Sequence, residues 1–460
     1  MNNIIFWSGI WSPYYNDYTR PIGSYQLAHW LRKHKIGCQV IEFIQFMTSA
    51  QLIELTELSI SNNTFAIALS TTFWPTDGKI PSSIREAIFY LKIKYPKLEI
   101  VGGGPRIQRY SKLLDKTFTG DAENTLLTYC QQKKYTLSFP TSQFNIVNLD
   151  HQFIEQDIIL PNETLPIELG RGCIFKCKFC SYPNIGKKKH TYQRQQHLIL
   201  DEMKWNYEQF GTTNYMFLDD TVNEDVDKIN FLTTIKKEIG TLITWNGYLR
   251  ADLIWSHKNH QQLLDSGLRN AYFGLESLHP PTAKLIGKAW NGTHAKDWIP
   301  TLYNDLWNKQ VAIEGSFIVG LPDEPEESMI ASAHWVNELC AGTIFFLPFN
   351  LKNMDEEGAP ESEFTRNYLD YGYSIDAQGK WSHRSGMTQA RSIVLADELN
   401  QIVNPNWRIA GWRSATYYNA GLTVEQTKEV NLREGNSFLD SKKQDFTNLY
   451  ISLYKKLIIS

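Results

Sequence analysis

Residues 2–134 alternate between unbroken apolar runs and spaced apolar positions. Asn3 to Trp7 is a short apolar run that predicts a strand, and the stretch SGIWSPYYNDYTRP after it predicts a long loop. IGSYQLAHWLRKHK then spaces its apolar residues at the helical period, as does PSSIREAIFYLKIKY. CQVIEF, TFAIALS and LEIVGGG are further strand-sized runs. Strands that are apolar throughout, alternating with helices, predict a parallel sheet covered on both faces. The expectation for 1–134 is therefore a doubly wound α/β domain.

Residues 135–163 are mixed and polar and are expected to form a linker. A second alternating series starts at Leu165. LPIELG, NYMFLD, LITWNGYL, NAYFGLES, EGSFIVGLP and TIFFLPF predict six strands, with helices over 195–210, 225–238, 257–266, 294–309 and 326–340. Six strand–helix units over 164–350 predict a partial (β/α)6 barrel, in which chemistry belongs on the loops after the C-terminal ends of the strands. From 351 to 460 the pattern is irregular and reads as a C-terminal extension.

Bulk properties narrow the function only by exclusion. A chain of 460 residues exceeds one ordinary core at about 150 residues per domain. The apolar fraction is 42% and the net charge is −3, so nothing biases the whole chain toward nucleic acid or a membrane. The apolar runs are strand-sized, too short to span a bilayer. MNNIIFWSG has no basic n-region and no cleavage site, so no signal peptide is expected. A cytoplasmic location follows, in which structural disulfides are rare.

The six cysteines are unevenly placed: RGCIFKCKFCSY holds three of them, as Cys173-x3-Cys177-x2-Cys180, just after the first strand of the second series. Three chemistries fit the spacing. Zinc takes four protein ligands in a structural site, and His190 or His197 can complete a Cys3His set. A redox pair of Cys177 and Cys180 leaves Cys173 without a role. A cubane iron–sulfur cluster normally takes four thiolates, so three leave one iron open, which is what catalysis needs.

CxxxCxxC with an aromatic residue, Phe179, before the last cysteine resembles the signature of the radical S-adenosylmethionine (SAM) superfamily. The resemblance extends over residues 165–350. It implies a [4Fe–4S] cluster on Cys173, Cys177 and Cys180, with SAM chelated by the open iron and split by one electron to a 5′-deoxyadenosyl radical that abstracts a substrate hydrogen. It further implies that Asp219 and Asp220, in MFLDD, bind the SAM amino group; one of them has the alternative role of a helix cap. Arg250 matches a position that holds the SAM carboxylate through a charged fork, against a plain salt bridge as the alternative. Glu276 and Ser277, in GLES, match ribose contacts. Gly320, in FIVGLPDE, matches a glycine that allows close approach of the adenine. The electron donor implied is of flavodoxin or ferredoxin type.

The first domain, Rossmann-like in pattern, resembles the cobalamin-binding domains attached to many such enzymes, at RPIGSYQLAHWLRKHKIGCQVIEF, ALSTT, VGGGP and TGDAENTL. The Asp-x-His-x-x-Gly motif that supplies a cobalt ligand is absent. The crevice loops would be 8–21, 71–80 and 103–108, carrying Trp11, Tyr14, Tyr15, Phe73 and Trp74. Those rings suit either a cap on a corrin or a filled, degenerate crevice. The resemblance thus admits cobalamin as a further cofactor.

The substrate is less legible. GKKKH at 186–190 reads as a solvated basic turn, or as a dock for an acidic peptide, a phosphate or the electron donor. The chain layout, including WSHRSGMTQA in the extension, resembles enzymes that modify ribosomally made peptides, among them the proteusin-type epimerases that invert residues at Cα. An epimerase needs a hydrogen donor. Cys340 is the candidate, although its expected position before the sixth strand is at the wrong end of the barrel. The alternatives are a cobalamin-dependent radical SAM C-methyltransferase and a zinc-containing binding module without catalysis. The partner expected is a peptide or small molecule; no membrane is expected, and the lack of a basic C-terminal module argues against nucleic acid.

Overall fold

The structure, a computed structural model, describes residues 2–11, 18–75, 79–104, 107–135, 143–182, 185–240, 242–288, 293–308, 311–339, 343–351, 361–403, 420–423, 426 and 432–459. Two parallel sheets organise them. The first has five strands: β1 (Ile4–Trp7), β2 (Cys38–Ile41), β3 (Ala66–Ser70), β4 (Glu99–Gly103) and β5 (Lys116–Phe118). Their order is β2-β1-β3-β4-β5, every pair parallel, so the winding reverses between β1 and β3.

Alternate residues of each strand feed different cores, as the two-residue period of a strand dictates. Ile4, Phe6, Val40 and Ala68 face helices Ile22–Lys33 and Glu123–Tyr135. Ile5, Trp7, Ile41, Ile67 and Leu69 face helices Ser49–Ser59 and Ser82–Lys94. The Ser49–Ser59 helix starts on a capping box: Thr48 Oγ1 accepts from Gln51 N at 3.2 Å, and Gln51 Oε1 accepts from Thr48 N at 2.9 Å.

The second sheet has six strands in sequence order, all neighbours parallel: β6 (Leu165–Ile167), β7 (Asn214–Phe217), β8 (Thr244–Leu249), β9 (Leu268–Glu276), β10 (Ala312–Val319) and β11 (Thr343–Pro348). This is the expected open six-unit α/β barrel. Two details differ from the sequence reading. The helix expected at 257–266 is two short ones, Ala251–His257 and His260–Asp265, broken where Lys258 takes φ +51°. A further helix, Pro280–Ile286, precedes the expected one, which spans Ala295–Trp307.

The linker packs on both neighbours. Glu163 pairs with the buried Arg20, Asp157 pairs with Arg32 at 2.8 Å, and His151 meets Glu202 of the barrel at 2.8 Å. The extension is divided between the two sheets. An antiparallel hairpin, β12 (Tyr373–Ile375) with β13 (Trp381–His383), leads into helix Gln389–Val403. Asn400 of that helix closes the β11 edge: its amide accepts from Phe346 N at 2.9 Å and donates to Phe346 O at 2.8 Å. Helix Leu432–Ile459 returns to the first sheet, where Tyr450 and Tyr454 enter the core beside helix Ser49–Ser59. Among the described residues no helix is long and apolar enough to cross a membrane.

Candidate active site on the cysteine loop

The cysteine loop leaves the C-terminal end of β6 and folds back on itself. Gly186 N donates to Phe175 O at 2.8 Å and Lys187 N to Cys173 O at 3.0 Å, so the 185–187 segment is stitched along the first cysteine. Cys180 N donates to Cys177 O at 3.1 Å, which makes a tight turn between the last two thiols. Gly172 is required by close approach: a Cβ there would come within 2.7 Å of the Tyr192 ring. Lys178 N donates to Ile286 O, and Phe364 N of the extension donates to Lys178 O at 3.1 Å, so the loop is held from two further sides.

Cys173 is buried, and Cys177 and Cys180 are half-buried. Burial raises the Cys173 thiol and pushes the Cys180 thiol up to about 11. Thiols with raised pKa are poor free nucleophiles; a metal that binds them removes their protons. Donors already surround them: Tyr182 N points to Cys180 Sγ at 3.4 Å, and Thr221 Oγ1 lies 3.8 Å from Cys173 Sγ. Among the described residues no three His, Cys, Asp or Glu side chains converge as one metal ion requires. A cubane presents its irons at separate corners, one thiolate to each, and needs no such convergence. His190 faces Asp225 at 3.8 Å, and His197 is exposed on helix Gln196–Phe210. The donor set thus fits a cluster on three thiols.

The other expected residues surround this loop in different roles. Asp219 is fully engaged: it accepts Leu169 N at 2.8 Å and Lys228 Nζ at 2.7 Å, and Lys228 also donates to Glu224 at 3.0 Å. Burial raises the Asp219 carboxyl, and Lys228 opposes that rise. Asp220 is different. Its residue is open to solvent, yet crowding by protein atoms and then the Asp219 charge push its carboxyl up to about 7. Its charge also acts on Cys173 and Cys180. Of the pair, Asp220 is the one whose carboxylate is not tied to Lys228. Neither Asp219 nor Asp220 caps the helix that follows; its cap is Asp225, which accepts Asp227 N at 2.9 Å.

Arg250 lies against the loop, with its guanidinium carbon 4.0 Å from the Phe175 ring centroid. Its fork is occupied by Asp252, at 3.0 and 2.8 Å, a residue the sequence reading passed over. Glu276 ends β9 at φ +64°, buried, with Lys288 Nζ 3.9 Å away; burial raises its carboxyl, and Lys288 and Arg250 oppose the rise. Ser277 Oγ donates to Glu324 Oε1 at 2.8 Å, and burial pushes the Glu324 carboxyl up to about 8. Glu324 was in plain view in FIVGLPDE. Gly320, at φ +99°, turns its open side to the extension: a Cβ would meet the Trp381 ring at 2.7 Å. Trp381 belongs to WSHRSGMTQA, so that stretch packs beneath the fifth strand. Cys340, Tyr14 and Tyr15 lie outside the described residues. In the basic run, Lys189 is tied to Asp225 at 2.8 Å, while Lys187 and Lys188 are exposed.

The second crevice is at the β1/β3 reversal, the usual ligand position in an open α/β sheet. Trp11 and Trp74 meet edge-to-face there with centroids 5.4 Å apart, and Trp74 contacts Tyr110 at 5.0 Å. Phe73 is exposed, and the Trp74 indole N–H is buried without a hydrogen-bond partner.

Residues 167–336 match the model of the Radical SAM superfamily, so the chain carries a Radical SAM superfamily domain and is a radical SAM enzyme whose cofactors are a [4Fe–4S] cluster and SAM. The curated proteins it is similar to include the "Uncharacterized methyltransferase PH0819" of Pyrococcus horikoshii, 24% identical over 69% of this chain and 73% of that one. Another is the bacteriochlorophyllide d C-12(1)-methyltransferase of Chlorobaculum tepidum, 26% identical over 38% of each chain. Among solved structures, the methyltransferase TsrM of Kitasatospora setae, with cobalamin and a [4Fe–4S] cluster bound, covers 97% of this chain at TM-score 0.62 and 11% identity. The cobalamin-dependent SAM radical enzyme OxsB covers 99% at TM-score 0.57 and 14% identity. At these identities the structural likeness is one of fold.

Proposed function

We propose that this protein is a cobalamin-dependent radical SAM methyltransferase that alkylates a carbon of a small molecule or peptide. The observation that carries the reading is the pairing of two sites in one chain: three thiols on the loop after β6, and an aromatic crevice at the β1/β3 reversal of a five-stranded sheet. A flat, largely apolar macrocycle suits the exposed Phe73 ring beside Trp11 and Trp74, and the orphan indole N–H of Trp74 suits one of its polar edge groups. The relatives named as methyltransferases support the same choice over epimerisation.

When bound, the cluster and SAM supply a one-electron cleavage, and a corrin supplies the methyl carrier. The residues of this chain bind and orient. Cys173, Cys177 and Cys180 would hold the cluster, Asp220 would take the SAM amine, and Glu276, backed by Lys288, would meet hydroxyl groups. Arg250 keeps its cation beside the loop and leaves its bidentate edge with Asp252.

Epimerisation needs a thiol donor near the barrel mouth. Cys38 and Cys130 are buried in the core of the first sheet, and burial pushes the Cys38 thiol up to about 12. Neither serves that role, and the reading rests on Cys340 alone.

The decisive experiment reconstitutes the protein without oxygen and incubates it with SAM, a one-electron reductant, hydroxocobalamin and the candidate substrate in heavy water. A gain of one methyl, dependent on the corrin, is expected. A gain of one deuteron with no methyl overturns the proposal in favour of epimerisation. Zinc in place of iron and sulfide removes catalysis altogether.

A further inference from the structure

TGDAENTL, the last of the stretches that resemble cobalamin-binding domains, has a partner in the second unit. Arg171, two residues before Cys173, spreads its guanidinium over both units. Toward the barrel it donates to the two oxygens of Glu168, at 3.0 and 3.3 Å. Toward the first domain it donates to Glu123 at 2.9 Å, to Asp121 at 3.3 Å and to the Gln26 side-chain oxygen at 3.1 Å. Gln26 returns a bond to Glu168 at 2.8 Å, closing the ring of contacts. Glu123 is buried and the Arg171 side chain is 17% exposed, so this is not a solvated surface pair. The main chain at Arg171 is itself fixed: its N–H donates to Tyr192 O at 2.9 Å, and the same Tyr192 ring packs on Gly172. A displacement of helix Ile22–Lys33 or of the Asp121–Glu123 turn therefore reaches Cys173 through one side chain and two peptide units.

We propose that Arg171 is a positioning residue, a latch that sets the cluster loop at a fixed register to the first domain, with Glu123 as its chief partner. A planar five-donor head satisfies three carboxylates and an amide at once; lysine, a point charge, cannot. The inference rests on the proposed function only for its purpose, which is to hold two cofactor sites at one spacing.

The test compares wild type, Arg171→Met, Arg171→Lys and the exchange pair Arg171→Glu with Glu123→Arg, each reconstituted with iron and sulfide. Hydrogen exchange is followed in peptides covering 171–182, 22–33 and 119–126, and the reduced cluster is examined by electron paramagnetic resonance with and without SAM. Arg171→Met should keep its iron content, because the thiols are untouched. Its exchange should rise about tenfold on both sides of the contact, and the SAM-bound resonance should broaden. Arg171→Lys should fall between, and the exchange pair should recover part of the protection. Unchanged exchange and resonance in Arg171→Met overturns the latch, as does a change confined to 171–182. If wild type itself binds no iron, the proposed function fails while the exchange data still decide the latch.

Discussion

The Nη1 of Arg250 lies 3.7 Å from Cys177 Sγ, while the opposite edge of the same guanidinium is bound by Asp252. The head is stacked on Phe175 of the cysteine loop, so one cation serves a thiol, a carboxylate and a ring. Both members of the ion pair are buried. Removing one leaves the other unpaired in a poorly solvated place, which costs more than the pair contributes.

Arg250→Met should therefore destabilise the fold by about 3 kcal/mol at neutral pH. Burial alone would raise the Asp252 carboxyl, but Arg250 holds it below the ordinary range. A depressed acid contributes stability above its unfolded value, near about 4, and loses it as pH falls through the folded value. The gap between wild type and variant should shrink from pH 7 to pH 3. Denaturant melts at the two pH values check this; an equal gap at both rules it out.

Replacing Cys173, Cys177 or Cys180 by Ala should leave the circular dichroism intact, because none of the three thiols is paired in a disulfide. Iron and sulfide should drop together, and deoxyadenosine release from SAM should fall to background. A variant that keeps both its iron and its cleavage removes that cysteine from the ligand set.

Glu324 gives a pH signature of opposite sign. Its carboxyl is pushed up to about 8, so the native state retains a proton that the unfolded chain releases near about 4.3. Wild-type stability should decline as pH rises between those values. Glu324→Gln keeps the acceptor for Ser277 and carries no charge. It should match wild type at pH 5 and exceed it at pH 9 by on the order of 2 kcal/mol. Parallel urea titrations are the measurement, and identical slopes with pH count against a buried neutral acid.

The crevice offers a direct readout. Protein incubated with hydroxocobalamin and gel-filtered should retain a corrin band. Trp74→Ala should lower that retention about tenfold or more with iron content unchanged. Equal retention in Trp74→Ala and wild type places the corrin elsewhere.

Most strands of the two sheets were legible because a strand buried on both faces is largely apolar: β1 is IIFW and β3 is AIALS, while β8 and β10 keep apolar residues around the buried Asn246, Glu314 and Ser316. β5 was not, since Lys116–Phe118 has only three residues and begins on an exposed lysine. The Ser49–Ser59 helix was available from Thr48-x-x-Gln51, a cap signal that apolar spacing alone overlooks. At the site, residue types at strand ends were legible and their pairings were not. Asp252, two residues from Arg250, decides what that fork binds, and the partner of Gly320 is a ring at position 381. Such contacts are set by topology, which local pattern does not encode. The latch at Arg171 is of the same kind, since Glu123 is 48 residues away.

The return of helix Leu432–Ile459 to the first sheet has a consequence for biosynthesis. Tyr450 hydroxyl meets the Glu42 amide at 2.9 Å, across a separation of 408 residues. Chains grow at about 5–20 residues per second, and early units ordinarily fold as they emerge. Here the first α/β unit leaves the ribosome with one flank bare and stays so until the entire barrel has been translated. A chaperone that shields Phe43 and Ser59 during that interval would find its binding surface erased only when the two tyrosines arrive.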